Sequence, residues 1–78
     1  MYIIHTESIG ERIRIFRVLR GLSQEELAEK SGITRFVLSQ LERGSREPSL
    51  SELKTLANAL DADAVDFLEK KPLEIRIL

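Results

Sequence analysis

Apolar residues return at helical spacing through most of this 78-residue chain and at strand spacing only near its two ends. Ile9, Ile13 and Phe16 predict one face of a first helix running from about Ile9 to Arg20 and stopped at Gly21. A second helix, Gln24 to Ser31, turns Leu27 and Ala28 inward and ends at Gly32. A third opens around Thr34, points Leu38 and Leu41 inward and stops at Gly44. Beyond Pro48, a stripe of Leu50, Leu53, Leu56, Ala57 and Leu60 predicts a fourth, and Val65 and Leu68 anchor a short fifth.

Capping chemistry marks the same starts. Ser8-Ile9-Gly10-Glu11, Ser23-Gln24-Glu25-Glu26 and Ser49-Leu50-Ser51-Glu52 all read S-x-x-E, the reciprocal box that satisfies orphan amides at a helix N-terminus. Asp63-Ala64-Val65-Asp66 is a weaker version before the fifth helix. One such box arises easily by chance, whereas three at regular spacing do not.

At the ends the period changes to two. Leu73-Glu74-Ile75-Arg76-Ile77-Leu78 alternates apolar and charged, and Met1 to Thr6 is β-prone. Residues 1–6 therefore read as a strand-like arm and 73–78 as a strand-like tail, able to pair within one chain or between two. A lone ribbon is marginal unless it packs on something. Helix 1 offers a second stripe, Ile15, Val18 and Leu19, for the strands (Ile75 and Ile77 included), a partner subunit, or both to cover.

The expectation is a single all-α domain over residues 1–78, with short strands open to form at both ends. A chain this short buries only about 60% of the surface its unfolded form exposes, so oligomerisation is a plausible extra source of stability. There is no cysteine and a single histidine, His5, which removes disulfides, thiolate metal sites and multi-histidine zinc clusters. No apolar run approaches the roughly 18 residues of a membrane span, and no signal-peptide pattern is present, so a soluble cytoplasmic protein is expected.

Net charge is −1, from 12 basic and 13 acidic residues. Residues 1–48 hold eight basic and seven acidic groups, and residues 49–78 four and six. Any affinity for nucleic acid must come from a local basic surface rather than from the net field. Thirteen carboxylates offer many pairs, but none comes with a companion base, a glycine-rich phosphate loop or metal-ligand spacing. Neither an enzyme nor a cofactor or metal site is expected.

The densest information lies between Ser23 and Ser49, where two short helical patterns hinge at Gly32. A helix-turn-helix needs a small residue at the crossing, a turn residue free to take positive φ, and apolar residues locking the angle. Ala28, Gly32, and the group Leu27, Ile33, Leu38 and Leu41 supply these in turn. Gly21-Leu22-Ser23-Gln24-Glu25-Glu26-Leu27-Ala28, Ser31-Gly32-Ile33-Thr34, Leu41-Glu42-Arg43-Gly44 and Arg46-x-Pro48-Ser49 together resemble the phage Cro/repressor-type (XRE-like) regulators from about Ile9 to Leu68. The resemblance implies five helices, a dimer on a near-palindromic operator, and transcriptional control. Ser31 departs from it, standing where the family usually has an apolar residue.

Resemblance and physical reasoning assign the same roles. Gln24 and Thr34, at the starts of helices 2 and 3, can offer side chains and helix N–H groups to phosphates. Arg35, Phe36, Val37 and Gln40 project from the exposed side of helix 3: Arg suits guanine O6/N7, Gln suits adenine, and Phe or Val meets a thymine methyl. Arg43, Ser45 and Arg46 suit a second phosphate patch. The resemblance further implies an ion pair between Arg17 and Glu42, tying helix 1 to the end of helix 3. Arg12, Arg14 and Arg20 read as a solvated face. The expected partners are double-stranded DNA and a second copy of the chain. The competing reading is an antitoxin or protein-interaction module on the same fold, with a toxin as partner.

Overall fold

The computed structural model describes residues 2–4, 8–69 and 72–75. Its elements follow the order β1 (Tyr2–Ile4), α1 (Ile9–Leu19), α2 (Gln24–Ser31), α3 (Arg35–Arg43), α4 (Leu50–Ala59), α5 (Ala64–Leu68) and β2 (Leu73–Ile75). Each helix starts where the capping pattern sets it. The Ser23 hydroxyl accepts from the Glu26 N–H while the Glu26 carboxylate accepts from the Ser23 N–H, and Ser49 and Glu52 repeat the exchange. Ser8 Oγ accepts from Glu11 N–H, and Asp63 N–H donates to Asp66 Oδ2.

The stops are equally local. Leu22 N–H reaches Arg17 O and Gly21 N–H reaches Val18 O, while Ser45 N–H reaches Gln40 O and Gly44 N–H reaches Leu41 O. Both are Schellman turns, with the glycine at φ 70° and 78° where a side chain would be strained. The third turn of this kind, after α4, is made by Asp61 at φ 52°, with Ala62 N–H on Ala57 O.

The core is formed by Ile13, Leu27, Leu38, Leu41, Leu53, Leu56, Ala57, Leu60 and Phe67. Helix α1 packs on α3 and α5, and α2 on α3 and α4. Contact between α1 and α3 is close enough that Gly10 is buried and a Cβ there would overlap the Leu41 carbonyl oxygen.

Several expectations are corrected. Leu50 is exposed: as the first residue of α4 it lies beyond the end of the core that Leu53 and Leu56 reach. Val65 and Leu68 are exposed too. A five-residue helix has one buried side, and Phe67 takes it, its ring meeting Phe16 edge-on at 5.3 Å. Arg12 is no solvated residue. It is 3% exposed and donates Nη1–H to Asp66 O at 3.0 Å, holding α5 to α1. Arg20 Nε–H donates to Leu60 O at 2.8 Å, satisfying a carbonyl at the end of α4. Arg14 is exposed and has no such tie among the described residues.

The two terminal segments pair antiparallel, with Tyr2 opposite Ile75, Ile3 opposite Glu74 and Ile4 opposite Leu73. The remainder of the arm and tail, including Ile77, lies outside the described residues.

Candidate nucleic-acid interface

Helix α3 has two sides by virtue of its spacing. Leu38, Leu41 and Glu42 are buried, while Arg35, Phe36 and Arg43 are exposed, with Ser39 and Gln40 half-buried between them. Phe36 is 72% exposed, an expensive position for an aromatic ring with no ring partner among the described residues. Val37, expected on the exposed side, is half-buried and packs against the core, one turn before Leu41. Ser39 was overlooked by sequence reasoning; it sits one turn on from Arg35 and Phe36, on the side they share.

The angle of α3 is held from behind. Arg17 gives Nε–H to Glu42 Oε2 at 2.8 Å and Nη2–H to Glu42 Oε1 at 3.1 Å, and its Nη1–H goes to Leu22 O at 2.8 Å. The side chains are 12% and 3% exposed, so this bidentate pair is nearly dry. Gln24 Nε2–H adds a third donor to Glu42 at 3.2 Å. The Gln24 amide expected to reach a phosphate is thus turned onto Glu42. What the start of α2 presents outward is backbone: Gln24 and Glu25 N–H have no acceptor within the helix, while Glu26 N–H is taken by the Ser23 hydroxyl.

Thr34 caps α3, its Oγ1 accepting from Val37 N–H at 3.2 Å, and its hydroxyl hydrogen is still able to donate. Ser45 turns back on the helix end, Oγ–H to Gln40 O at 3.3 Å, while Arg46 stands 3.7 Å from Glu52. Arg43 is exposed. Ser31, the polar departure in the turn, accepts from Ile33 N–H at 3.2 Å and so helps shape the bend.

A polar groove of about 350 Å³ runs beside these parts, lined by Ser8, Glu11, Arg14, Arg17, Gln24, Glu42 and Arg43. Its lining joins three arginines to two carboxylates, with Arg17 neutralised by Glu42, so the cations it presents outward are Arg14 and Arg43. Arg14, read from the sequence as part of a solvated face, lines this groove, its spacing three before Arg17 on α1 placing both on one side of the helix. On the far side of α1, Ile15, Val18 and Leu19 line an open, mainly apolar groove of about 400 Å³ with Glu11 and Arg14. Val18 is 58% exposed there. Ile75 pairs with Tyr2 in the terminal ribbon. Among the described residues no cluster of three or more His, Cys, Asp or Glu is placed to hold a metal, and no helix is long and apolar enough to cross a membrane.

Residues 13–67 match the helix-turn-helix family. An HTH-type transcriptional regulator of Sinorhizobium fredii, y4dL, is 43% identical over 60 residues, covering 77% of this chain and 31% of its own length. The chain therefore spans about a third of that relative. The control protein C.SmaI of Serratia marcescens is 38% identical over 68 residues, 87% of this chain and 81% of that one. SinR of Bacillus subtilis is 38% identical over 64 residues, 81% of this chain and 58% of that one. A crystal structure of SinR in complex with DNA superposes with a TM-score of 0.76 at 37% identity, covering 78% of this chain and 98% of that chain. A SinR–SinI protein complex gives 0.76 at 36% identity, covering 80% and 61%. These relatives are regulators rather than enzymes. Motif, helix geometry and a match across most of the five-helix core agree: this chain belongs to the helix-turn-helix family, with the Cro/repressor-type (XRE-like) regulators.

Proposed function

We propose that this protein is a sequence-specific, double-stranded DNA-binding transcriptional regulator that acts as a homodimer on a near-palindromic operator. The observation that carries this reading is the solvent-facing first half of α3. Arg35 and Phe36 stand exposed there on a helix whose other side is buried and whose end is clamped by Arg17 and Glu42. A rigid helix offering a guanidinium and an aromatic ring in its first turn fits a major groove. Thr34, Gln40 and the α2 N-terminus line its flanks, with Arg43, Arg46 and the Arg14–Arg17 groove for phosphates. DNA bound to SinR, a relative with the same fold, supports the assignment.

Two copies set about 34 Å apart would place one α3 in each of two successive grooves. The exposed Val18 and Leu19 of α1, with the half-buried Ile15 beside them, form the surface proposed for pairing. Selection of bound duplexes from a random pool tests the reading: one enriched, two-fold symmetric motif is expected. Affinity for it should fall with salt at a log–log slope of about −0.9 per phosphate contact. A pool without enrichment at low salt overturns the proposal, and a toxin or other protein partner docking on the same fold then becomes the better account, as the SinR–SinI complex illustrates for a relative.

A further inference from the structure

Arg35 is held. Its Nη1–H donates to Glu25 Oε1 at 2.7 Å, from the first turn of α3 to the first turn of α2. The two side chains are 61% and 72% exposed, so in water the pair adds little to folding. Its position is the informative part. Arg35 opens α3, where unpaired N–H groups already make a positive end, and a cation there has no reason to stay close to the helix. Glu25 gives it one. With Nη1 committed, the guanidinium keeps Nε and Nη2 without a partner among the described residues, two parallel donors on one edge. That edge is the fork that grips guanine O6 and N7.

We propose that Glu25 is a specificity-determining positioning residue: it orients Arg35 for a single base pair and, as a carboxylate beside the phosphate path, penalises binding without that base. The inference rests on the DNA-reading assignment above. When the interface closes, water leaves the exposed pair and the Glu25–Arg35 attraction strengthens, so the constraint is greatest in the bound state. A flexible guanidinium would sample several acceptors on neighbouring base pairs. A braced one reads one site. Glu25 thereby trades general affinity for discrimination, through local charge in a chain whose overall charge is nearly balanced.

Glu25→Ala tests this, since so exposed a residue can be replaced without disturbing the fold. Wild type and variant are each put through selection on a random duplex pool, then titrated against the wild-type motif, single-base changes of it, and a scrambled duplex. The variant is expected to lose about tenfold discrimination at the one base pair Arg35 reads, while binding the scrambled duplex more tightly. In an Arg35→Ala background the same change should leave base preference unaltered, as coupling through Arg35 demands. If wild type enriches a motif and Glu25→Ala enriches it with equal selectivity, the inference falls and the DNA-reading assignment stands. Tighter operator binding with unchanged base preference also overturns it, marking Glu25 as a competitor for Arg35. Failure of the wild type to enrich any motif overturns both.

Discussion

The carbonyl oxygen of Leu41 occupies the place a Cβ on residue 10 would take, and that relationship sets how closely α1 lies on α3. Gly10 is buried inside the first turn of α1, a position where glycine ordinarily weakens a helix. Its use is geometric. Backbone-to-backbone approach here brings Arg17, two turns further along α1, to the Glu42 that follows Leu41, and so connects a missing side chain to the orientation of the reading helix.

Replacing Gly10 with Ala is therefore expected to destabilise the fold despite the better helix propensity of Ala. Overpacking a contact that backbone must relieve costs about 1–3 kcal/mol, more than propensity returns. Urea unfolding followed by circular dichroism measures the balance. A variant more stable than wild type would show that α1 can shift freely on α3.

The Arg17–Glu42 pair should behave asymmetrically. Glu42→Ala leaves the Arg17 guanidinium and the Gln24 amide facing a nearly dry vacancy, and a loss of about 3–5 kcal/mol is expected. Replacing Arg17 and Glu42 together by Met and Leu should recover much of that loss. Because α3 then loses its charged clamp, the recovered stability should not be matched by recovered DNA affinity. Full recovery of both would reduce the pair to a packing element.

Much of this was legible in the sequence, and what was not has a common cause. Capping boxes and αL glycines act within four residues, so α2 emerges with the bounds its sequence predicts, Gln24 to Ser31. Long-range use of side chains does not show in periodicity. Arg12 has the sequence spacing of a surface charge and is buried because Asp66 O, 54 residues away, needs a donor. Leu50, Val65 and Leu68 fit apolar stripes but fall past the core's edge, while Phe67, uncounted in the stripe, meets Phe16. At the site, Thr34, Arg35 and Phe36 stand where helix phase put them. The Glu25–Arg35 pair depends on the starts of α2 and α3 facing one another, and the turn of Gln24 toward Glu42 on the start of α2 meeting the end of α3, neither of which one helix alone specifies.

Acid should loosen the start of α2. Acceptance from the Ser23 N–H, and secondarily from its hydroxyl, holds the Glu26 carboxyl below its ordinary value of 4.5. A lowered folded value means the carboxylate stabilises the fold above that ordinary value and loses its contribution as pH falls through the lowered one. Glu26→Gln should thus be less stable than wild type at neutral pH, with the gap closing in acid. A pH series of thermal melts checks this, and a constant gap would assign the difference to something other than charge.

The proposed pairing surface on α1 makes a separate prediction. Val18→Glu places a charge in the apolar groove of Ile15, Val18 and Leu19 without touching the core, because Val18 is exposed in the single chain. Sedimentation should shift from dimer to monomer, and operator binding should become second-order in protein at higher concentration. Unchanged mass would move the pairing surface elsewhere, with the exposed Val65 and Leu68 of α5 next in line.

Arg35 and Gln24 should separate on DNA although both open a helix. Arg35→Ala removes a fork exposed on the reading side, so a loss of about 1–3 kcal/mol at one base pair is expected, with other positions unaffected. Gln24→Ala takes one of three donors from Glu42 and leaves the N–H groups of α2 in place. Its effect should be smaller and equal across sequences, with the salt slope nearly unchanged because no cation is lost. Anisotropy titrations on the selected motif, its single-base variants and a scrambled duplex distinguish the two. Equal, sequence-independent losses from both substitutions would remove base reading from Arg35 and leave α3 holding the backbone alone.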